Sequence, residues 1–388
     1  MKVNMDVQLL AVPREKFRGL SMYIYGLSNA LIKRSMNEYS FSFFDYNKER
    51  NNRQKICDYM GTDIELCECN SLSYLSILEA NRTNSLEIYN SYSYCDFVGS
   101  KADVYHFPYS RYIPMNINAP TVVTVHDIIH LIEEFNYCYS ENHILEFKNT
   151  IDFIKKRKDI YIAVDSICTK TDLINYSDID PDRIFHTPLG FYSQKVTQNQ
   201  INNVLLKYGI GSPYILYIGA LDPRKGIDIL ISAFDKIKEK SVKLVIAGST
   251  ASTPFFDVSD KLNLCSRKND IIFTGYVSEI EKNCLLSGAE IFIFPSLYEG
   301  FGLPILEAMA AGTPVITTNT SSMPEVGGEA ALYIEKGNIE QLVYYIDLLL
   351  ESDTERKNMI DMGLEQCKKF NWENTAIETE KIYEKCRE

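Results

Sequence analysis

The stretch PSLYEGFGLPILEAMAAGTPVI, residues 295–316, places two glutamates, three glycines and three prolines between two apolar runs. The apolar run IFIF precedes it at 291–294, and its last residues begin the run VITT at 315–318. Within it, LPILEAMAA has helical periodicity and a proline near its start, where a missing N–H breaks no helical hydrogen bond. Gly312 is suited to end that helix. The pattern predicts a strand-helix-strand unit with a right-handed crossover, as in a parallel sheet.

Apolar strands and helices alternate in the same way along the whole chain, which predicts parallel sheets covered by helices on both faces. A polar stretch rich in Asn and Gln, residues 190–213, separates two groups of strands. The chain of 388 residues is also long for one core, so two α/β domains are expected. The predicted strands are 5–12, 42–46, 104–107, 121–126, 160–164 and 184–187 in the first domain, and 214–219, 243–247, 271–274, 291–294 and 315–318 in the second.

The composition excludes several classes of protein. A formal net charge of -12 at pH 7 gives no overall positive field, so no nucleic-acid partner is expected. No apolar run approaches the ~20 residues of a membrane-spanning helix, so any membrane contact would be peripheral. The basic clusters at 48–50 and 155–158 fit either a solvated helix surface or contact with anionic lipid. The ten cysteines lack CxxC spacing and the first residues lack a secretory pattern, which favours reduced thiols in the cytoplasm.

The segment YILYIGALDPRKGIDILISAF, residues 214–234, predicts a strand, a cationic turn and a helix. Arg224 and Lys225 in that turn would lie beside the helix N-terminus, and together these groups suit a phosphate. Taken alone, however, an Arg-Lys pair in a turn is also typical of solvated surface.

Glu299 and Glu307 flank the start of the helix in the opening stretch. Carboxylates accept hydrogen bonds from sugar hydroxyls, and Gly300 and Gly302 would let backbone N–H groups approach a ligand closely. Each glutamate alone also fits a helix cap or an acid that complements the helix dipole. Because ligands bind at the carboxyl ends of parallel strands, both loops are predicted to lie in a ligand site.

The segment YEGFGLPILEAMAAGTPVITTNTSSMPEV, residues 298–326, resembles the glutamate-seven-glutamate signature of the retaining GT-B glycosyltransferases of family 4, the group 1 class. Further segments are similar to that family in its usual order, at 217–234, 244–248, 271–296 and 370–376. The resemblance covers 210–388 and implies the GT-B fold, in which two Rossmann-like domains with parallel sheets face each other across a cleft. The expected domains are an acceptor-side domain at 1–195, a nucleotide-sugar donor domain at 196–370, and a terminal helix at 371–388 that returns to the first domain.

The resemblance also implies a role for each matched position. Glu307 would hold the ribose hydroxyls of a nucleotide diphosphate sugar, and Glu299 would face the sugar itself. Arg224 and Lys225 would bind the diphosphate. The other donor-binding positions that it implies are Gly19, Gly248, Val277, Gly300, Phe301, Gly302 and Leu303.

In the first half, TVVTVHDIIHL at 121–131 resembles the family's strand that ends in a histidine. The resemblance implies that His126 contacts the donor sugar, with Asp127 orienting its ring. The implied catalytic set is therefore His126, Glu299, Arg224 and Lys225, although a histidine at a strand end also fits a structural role. The segment 17–31 resembles the family's glycine-containing loop, where Gly19 matches and Ser21 replaces a second glycine. It fits an ordinary turn as well.

The resemblance implies transfer of a sugar, with retention of configuration, from a nucleotide diphosphate sugar to a hydroxyl acceptor. GDP-mannose is the favoured donor, and the acceptor would be a glycan, a lipid-linked glycan or a protein, in the synthesis of cell-surface polysaccharide or glycoconjugate. Two alternatives stay open: an epimerase or hydrolase of nucleotide sugars, and a catalytically silent module that binds them. The expected location is the cytoplasm, with contact at the inner face of the membrane left open.

No cofactor and no metal are expected, because cations and helix N-termini would stabilise the leaving diphosphate. The sequence Asp178-Ile179-Asp180 has the DxD form of a metal-diphosphate site but is interpreted as a polar turn. His126 and His130 have i, i+4 spacing without the glutamate of an HExxH site, so they are not interpreted as metal ligands.

Overall fold

The structure is a computed structural model of the chain. It describes residues 1–11, 19–44, 51–69, 74–83, 101–211, 213–248 and 258–388. These residues divide into two compact units, the first formed by Met1–Gly190 with Asn371–Glu388 and the second by Phe191–Phe370. The chain thus leaves the first unit after Gly190 and returns to it at Asn371. The predicted boundary after residue 195 lies slightly inside the second unit.

The first unit is built on a seven-stranded sheet. Its strands are β1 (Lys2–Asp6), β2 (Glu38–Phe44), β3 (Glu65–Cys69), β4 (Val104–Phe107), β5 (Thr121–Val125), β6 (Ile160–Val164) and β7 (Ile184–His186). Its first five helices are α1 (Gly19–Arg34), α2 (Asn52–Met60), α3 (Tyr74–Thr83), α4 (Glu141–Lys156) and α5 (Ile167–Ser177). The strands are all parallel, in the order β3-β2-β1-β4-β5-β6-β7. The strand order therefore reverses direction between β1 and β4.

The second unit is built on a six-stranded sheet. Its strands are β8 (Tyr214–Ile218), β9 (Lys243–Ala247), β10 (Ile271–Gly275), β11 (Ile291–Phe294), β12 (Val315–Thr318) and β13 (Ala331–Ile334). Its helices are α6 (Gln198–Tyr208), α7 (Ile227–Phe234), α8 (Ser259–Leu264), α9 (Glu279–Gly288), α10 (Leu303–Ala310), α11 (Met323–Gly327), α12 (Ile339–Glu351) and α13 (Asp353–Cys367). All strands are again parallel, in the order β10-β9-β8-β11-β12-β13, so the order reverses between β8 and β11.

The predicted positions of the first two strands were wrong. Strand β1 ends at Asp6, where the Gln8 backbone N–H donates to the Asp6 carboxylate at 3.4 Å and a short 3-10 turn begins. Buried polar side chains interrupt the apolar pattern of both strands. Asn4 Nδ2 donates to Ser40 Oγ at 3.0 Å, and Ser42 Oγ donates to Asn4 Oδ1 at 2.8 Å. These contacts satisfy one another, so polar residues are tolerated on a buried face. The predicted ends at 12 and at 45–46 lie outside the described residues.

Two edge strands, β3 and β13, were absent from the prediction. The sequence of β3 is ELCEC and that of β13 is ALYI, and each strand pairs with a neighbour on one side alone within the described sheets. An edge strand keeps one side open to solvent, so it needs no continuous apolar run. Strand β3 therefore lacks the apolar run of the central strands, whereas β13 was missed although its four residues are all apolar.

The terminal helix α14 (Trp372–Lys385) belongs to the first unit, which confirms the predicted return of this helix to the first domain. The indole of Trp372 packs over Gly26 of α1, where an added Cβ would lie 2.2 Å from the ring. Farther along, the Tyr383 hydroxyl lies 2.7 Å from Nδ1 of the buried His106 on β4. The helix is thus attached to the sheet by packing and by a buried polar contact.

The Asp178-Ile179-Asp180 sequence forms a turn, as predicted. Asp178 ends α5 with φ 53, and Asp180 caps the next turn by accepting from the Asp182 backbone N–H at 3.0 Å. In the nearby basic cluster, Lys155 Nζ lies 3.1 Å from the Asp178 carboxylate and Arg157 also pairs with an acid. These contacts favour the solvated-surface interpretation of residues 155–158, whereas the cluster at 48–50 lies outside the described residues. No helix among the described residues is long and apolar enough to cross a bilayer.

Candidate active site

The second unit brings Arg224, Lys225 and Glu299 together at the reversal of its strand order. The 3-10 turn Pro223–Lys225 follows β8, and Glu299 follows the neighbouring β11. Lys225 Nζ lies 2.5 Å from Glu299 Oε1, and an Arg224 guanidinium nitrogen lies 3.3 Å from Glu299 Oε2. The carboxyl ends of adjacent parallel strands at such a reversal are the usual place for a ligand.

Burial makes this ion cluster unusual, since each of the three side chains is only 14% exposed. Burial favours the neutral acid of Glu299, but the charges of Lys225 and Arg224 outweigh it and hold the pKa of Glu299 below its ordinary value. Burial, together with the nearby Arg224, lowers the pKa of Lys225. The two cations lie side by side at this edge, and the Asp222 carboxylate, which accepts from the Arg224 backbone N–H at 2.9 Å, lies at the same turn.

Hydroxyl groups hold the loop that carries Glu299. Ser296 Oγ donates to Glu299 Oε1 at 2.5 Å, and the Glu299 backbone N–H donates to Ser321 Oγ at 2.9 Å. Ser322 Oγ donates to the carbonyls of Glu299 and Phe301 at 3.0 and 2.5 Å. Ser321 has φ 47, a conformation that non-glycine residues seldom adopt. The loop is therefore fixed by side chains from the segment after β12.

Glycine is required at two positions near the cluster, by a close backbone approach at Gly226 and by a positive φ at Gly302. Gly226 has φ 68, and an added Cβ would lie 2.2 Å from the Pro295 carbonyl oxygen. Gly302 precedes α10 with φ 116. Phe301 is buried and meets Phe370 edge-on with ring centroids 5.8 Å apart, so its side chain anchors the loop to the core. Gly300 and Leu303 are partly buried on either side of this anchor.

Glu307 lies one turn into α10 and pairs with a residue of α9. Lys282 Nζ donates to Glu307 Oε1 at 2.7 Å and also lies 2.9 Å from Glu279 Oε2. This contact with Lys282 was not predicted. The eight-residue spacing of the two glutamates gave no sign of it, because Lys282 comes from a preceding helix.

Gly248 and Val277 lie on neighbouring strand exits of the same sheet. The Gly248 backbone N–H donates to the Gly275 carbonyl at 2.9 Å, and an added Cβ on Gly248 would lie 1.8 Å from the Gly219 carbonyl oxygen. Val277 is buried two residues past Gly275, just before α9. Residues 249–257, which follow Gly248, lie outside the described ranges.

His126 follows β5 in the first unit and makes two polar contacts with the protein. Its Nδ1 lies 2.5 Å from Asp165 Oδ2 and its Nε2 lies 2.8 Å from the Pro108 carbonyl oxygen. Asp127, predicted to orient the ring, does not do so; it accepts from the Ile129 backbone N–H at 3.1 Å and begins a turn. The partner of His126 was missed because Asp165 follows β6, far away in sequence.

The contacts of His126 favour its protonated form. A carbonyl oxygen only accepts, so Nε2 carries a proton, and Asp165 stabilises a second proton at Nδ1. Burial lowers the pKa of His126, but the Asp165 carboxylate outweighs it and raises the pKa above its ordinary value. Both ring nitrogens are thus engaged by the protein in this structure.

The remaining predicted positions of the first unit are less informative. Gly19 begins α1, and residues 17–18 before it lie outside the described ranges. Ser21, at the position of a second family glycine, is buried and donates from Oγ to the Leu9 carbonyl at 2.9 Å. The His130 ring stacks on Phe147 at 4.9 Å. Within the described residues no three His, Cys, Asp or Glu side chains are arranged to hold a metal ion.

Comparison with known proteins agrees with this geometry. The family model described as "Glycosyl transferases group 1" matches residues 206–366. O-antigen chain mannosyltransferase B of Escherichia coli is 31% identical over 292 residues, which cover 72% of this chain and 74% of the relative. The chain belongs to the group 1 glycosyltransferases. The serotype-specific mannosyltransferase WbdA of Escherichia coli is 27% identical over 67% of this glycosyltransferase, which spans only 33% of that longer relative.

Solved structures share the fold of this glycosyltransferase. Sucrose-phosphate synthase from Thermosynechococcus elongatus matches with a TM-score of 0.71 and 18% identity, covering 99% of this chain and 98% of that chain. WaaG, a glycosyltransferase involved in lipopolysaccharide biosynthesis, matches with a TM-score of 0.67 and 16% identity, covering 97% and 98%. At such low identities the likeness shows the fold alone, and it confirms the predicted GT-B fold with its two Rossmann-like domains.

The structure of this glycosyltransferase adds residues that the sequence pattern did not indicate. Lys282 and Asp165 each pair with a predicted site residue, and Ser296 and Ser321 hold the loop of Glu299. The run NTSS after β12 offered the one available signal, since hydroxyl-rich loops at strand ends commonly bond neighbouring backbone. The other pairings depend on tertiary contacts.

Proposed function

We propose that this glycosyltransferase transfers a hexosyl group, with retention and without a metal ion, from a nucleotide diphosphate sugar to a hydroxyl acceptor. The observation that carries the proposal is the buried cluster of Arg224, Lys225 and Glu299 where the strand order reverses. The cluster adjoins the loop that leads into α10, whose N-terminus contributes a positive dipole and free backbone N–H groups.

The two adjacent cations of the cluster match the chemistry of the leaving group. When the glycosidic bond to phosphate breaks, negative charge grows on the diphosphate, and nearby fixed cations lower that barrier. Burial strengthens the effect because little water screens the charges. We infer that Arg224 and Lys225 supply the charge that a divalent ion supplies in metal-dependent transferases, so no metal is required.

The pairing of Glu299 bears on the stereochemistry. Both of its carboxylate oxygens face cations, Oε1 also accepts from Ser296, and its pKa is lowered. A carboxylate so heavily paired is a weak nucleophile, so we assign Glu299 to the sugar hydroxyls and to holding Lys225. Retention would then follow from attack on the face that the phosphate leaves, with the departing phosphate taking the acceptor proton. The predicted contact of His126 with the sugar stays a prediction.

The names of the relatives guide the choice of substrates. Two of them are mannosyltransferases, one for the O-antigen chain and one described as serotype-specific. We therefore propose a mannosyl donor, GDP-mannose, and an acceptor glycan of a cell-surface polysaccharide. Synthesis of such a glycan on a lipid carrier would place the enzyme in the cytoplasm, in peripheral contact with the membrane.

A donor screen tests this function. GDP-mannose, UDP-glucose, ADP-glucose and a dTDP-sugar are each incubated with the enzyme and a mixture of lipid-linked and free mannosides, with and without EDTA. We expect transfer from GDP-mannose that EDTA leaves unchanged, and an α-linked product from the α-linked donor by NMR. Loss of activity that only a divalent ion restores would contradict the metal-free mechanism. Donor turnover without any acceptor would favour a hydrolase or an epimerase instead.

A further inference from the structure

Lys282 is a buried cation shared by two carboxylates in the second unit. It lies near the start of α9, where its Nζ is 2.7 Å from Glu307 Oε1 on α10 and 2.9 Å from Glu279 Oε2. The Lys282 side chain is 14% exposed and that of Glu307 is 20% exposed. A lysine this deep is seldom found without paired acids, since desolvating an ammonium is costly.

The charge of Lys282 is secure at neutral pH. Burial lowers the pKa of its ammonium, but the charges of Glu307 and Glu279 outweigh burial and raise the pKa above its ordinary value. The same pairing leaves the two oxygens of Glu307 in different states. Oε1 accepts from Lys282, whereas Oε2 accepts no hydrogen bond from any residue in the described part of the chain.

We propose that Lys282 is a positioning residue that fixes the Glu307 carboxylate so that its Oε2 accepts from the ribose hydroxyls of the nucleotide donor. This inference rests on the proposed function, in which Glu307 holds the ribose. A glutamate side chain has three rotatable bonds, and holding one oxygen on a fixed ammonium orders the other before the nucleotide binds. Ordering the group beforehand lowers the entropic cost of the contact.

A purely structural ion pair would have a different signature. If the pair only joined α9 to α10, losing it would lower the stability of the second unit. Any effect on binding would then weaken the affinity for every nucleotide equally. A positioning role instead affects only the energy that comes from the ribose hydroxyls. Discrimination between a nucleotide and its analogue without those hydroxyls separates the two roles.

The test measures dissociation constants for GDP and 2′,3′-dideoxy-GDP, and for the same pairs built on UDP and ADP, by calorimetry. For the base that binds best, we expect the wild type to prefer the ribonucleotide by about tenfold, the value of a hydrogen bond to a charged group. Lys282→Met should reduce this ratio to about twofold, and Lys282→Arg should restore most of it. Lys207→Met is the matched control, because Lys207 of α6 forms an exposed ion pair with Glu281, which lies on α9 beside Lys282.

The outcomes distinguish this inference from the proposed function. If Lys282→Met keeps the wild-type ratio while binding both nucleotides, the positioning role is overturned and the proposed function stands. If the wild type binds no nucleotide, the proposed function fails and this inference with it. Should Lys282→Met fail to fold, Lys282→Gln takes its place, since its neutral amide also loses the charge and must lower the ratio. The double variant Glu307→Gln with Lys282→Met should show the same preference for the ribonucleotide as Glu307→Gln alone.

Discussion

The carboxyl edges of the two parallel sheets carry charged groups in different states. In the second unit, two cations, Arg224 and Lys225, lie together beside the carboxylate of Glu299 where the strand order reverses. In the first unit, His126 and Asp165 pair one to one, on strands beside the reversal and not at it. The same kind of sheet thus yields one edge with two neighbouring cations and one edge with a single histidine-aspartate pair.

This difference indicates a division of chemical tasks between the edges. Two neighbouring cations can both contact the oxygens of one anion, so the edge of the second unit is suited to a diphosphate. His126, whose two ring nitrogens both contact the protein, stabilises its own unit through its pairing with Asp165. Four measurements test this contrast.

The largest effect is expected from Lys225→Ala. Removing one of two cations beside the leaving diphosphate should lower kcat/KM for the sugar donor by about 10² to 10³. Glu299 keeps Arg224 as a partner, so the fold should survive. Lys238→Ala, which removes an exposed cation of the same unit, should leave kcat/KM unchanged. Equal activity of the two variants would remove Lys225 from the site.

Asp165→Asn should act on stability more than on nucleotide binding. Removing the counterion of a buried imidazolium costs about 3 kcal/mol in comparable pairs. Trp372, the only tryptophan of the chain, lies in the first unit, so its fluorescence during urea unfolding reports on that unit. We expect an earlier transition with nucleotide affinity retained. A variant of wild-type stability that no longer binds nucleotide would reverse the division of tasks.

The first unit should also lose stability as the pH rises above about 6.5, the ordinary pKa of histidine. Because the pKa of His126 is raised in the folded state, its contribution is complete below the unfolded value and is lost as the pH rises through the folded value. The slope is at most about 1.4 kcal/mol per pH unit. Trp372 fluorescence between pH 6 and 9 measures it, and His126→Asn should flatten the dependence. A slope that persists in this variant would belong to another group.

The smallest effect is expected at Ser321, which holds the Glu299 backbone. Ser321→Ala removes the acceptor of one hydrogen bond and should lower kcat/KM about fivefold, equivalent to about 1 kcal/mol. Ser321→Gly removes the same acceptor but adopts φ 47 without strain, so it should be more stable than the alanine variant. If alanine and glycine are equally stable, strain at this position is negligible.

The sequence predicted the central strands well and the polar ones poorly. Bounds such as those of β6, β9 and β11 agree with prediction, because buried parallel strands are continuous apolar runs. The first two strands were misplaced because Asn4 and Ser40 occupy a buried face and bond each other there. That contact exists only once the strands are paired, so no local sequence pattern predicts it.

The site followed the same division. Arg224, Lys225 and Glu299 come together as predicted, since strand order alone brings the ends of β8 and β11 side by side. Lys282 and Asp165 were not predicted because their pairing depends on helix packing and on the neighbour of β5. Residues fixed by topology are accessible from sequence, whereas their partners require the folded coordinates.

The packing of Trp372 has a consequence for the order in which the protein is made. An added Cβ on Gly190 would lie 2.3 Å from the Trp372 backbone nitrogen, and Thr375 Oγ1 donates to the Pro188 carbonyl at 2.7 Å. The first unit therefore completes its core only when residues 371–388 have been synthesised, after the whole of the second unit. During translation the first unit is begun first and completed last, and its α1 surface stays exposed until α14 covers it.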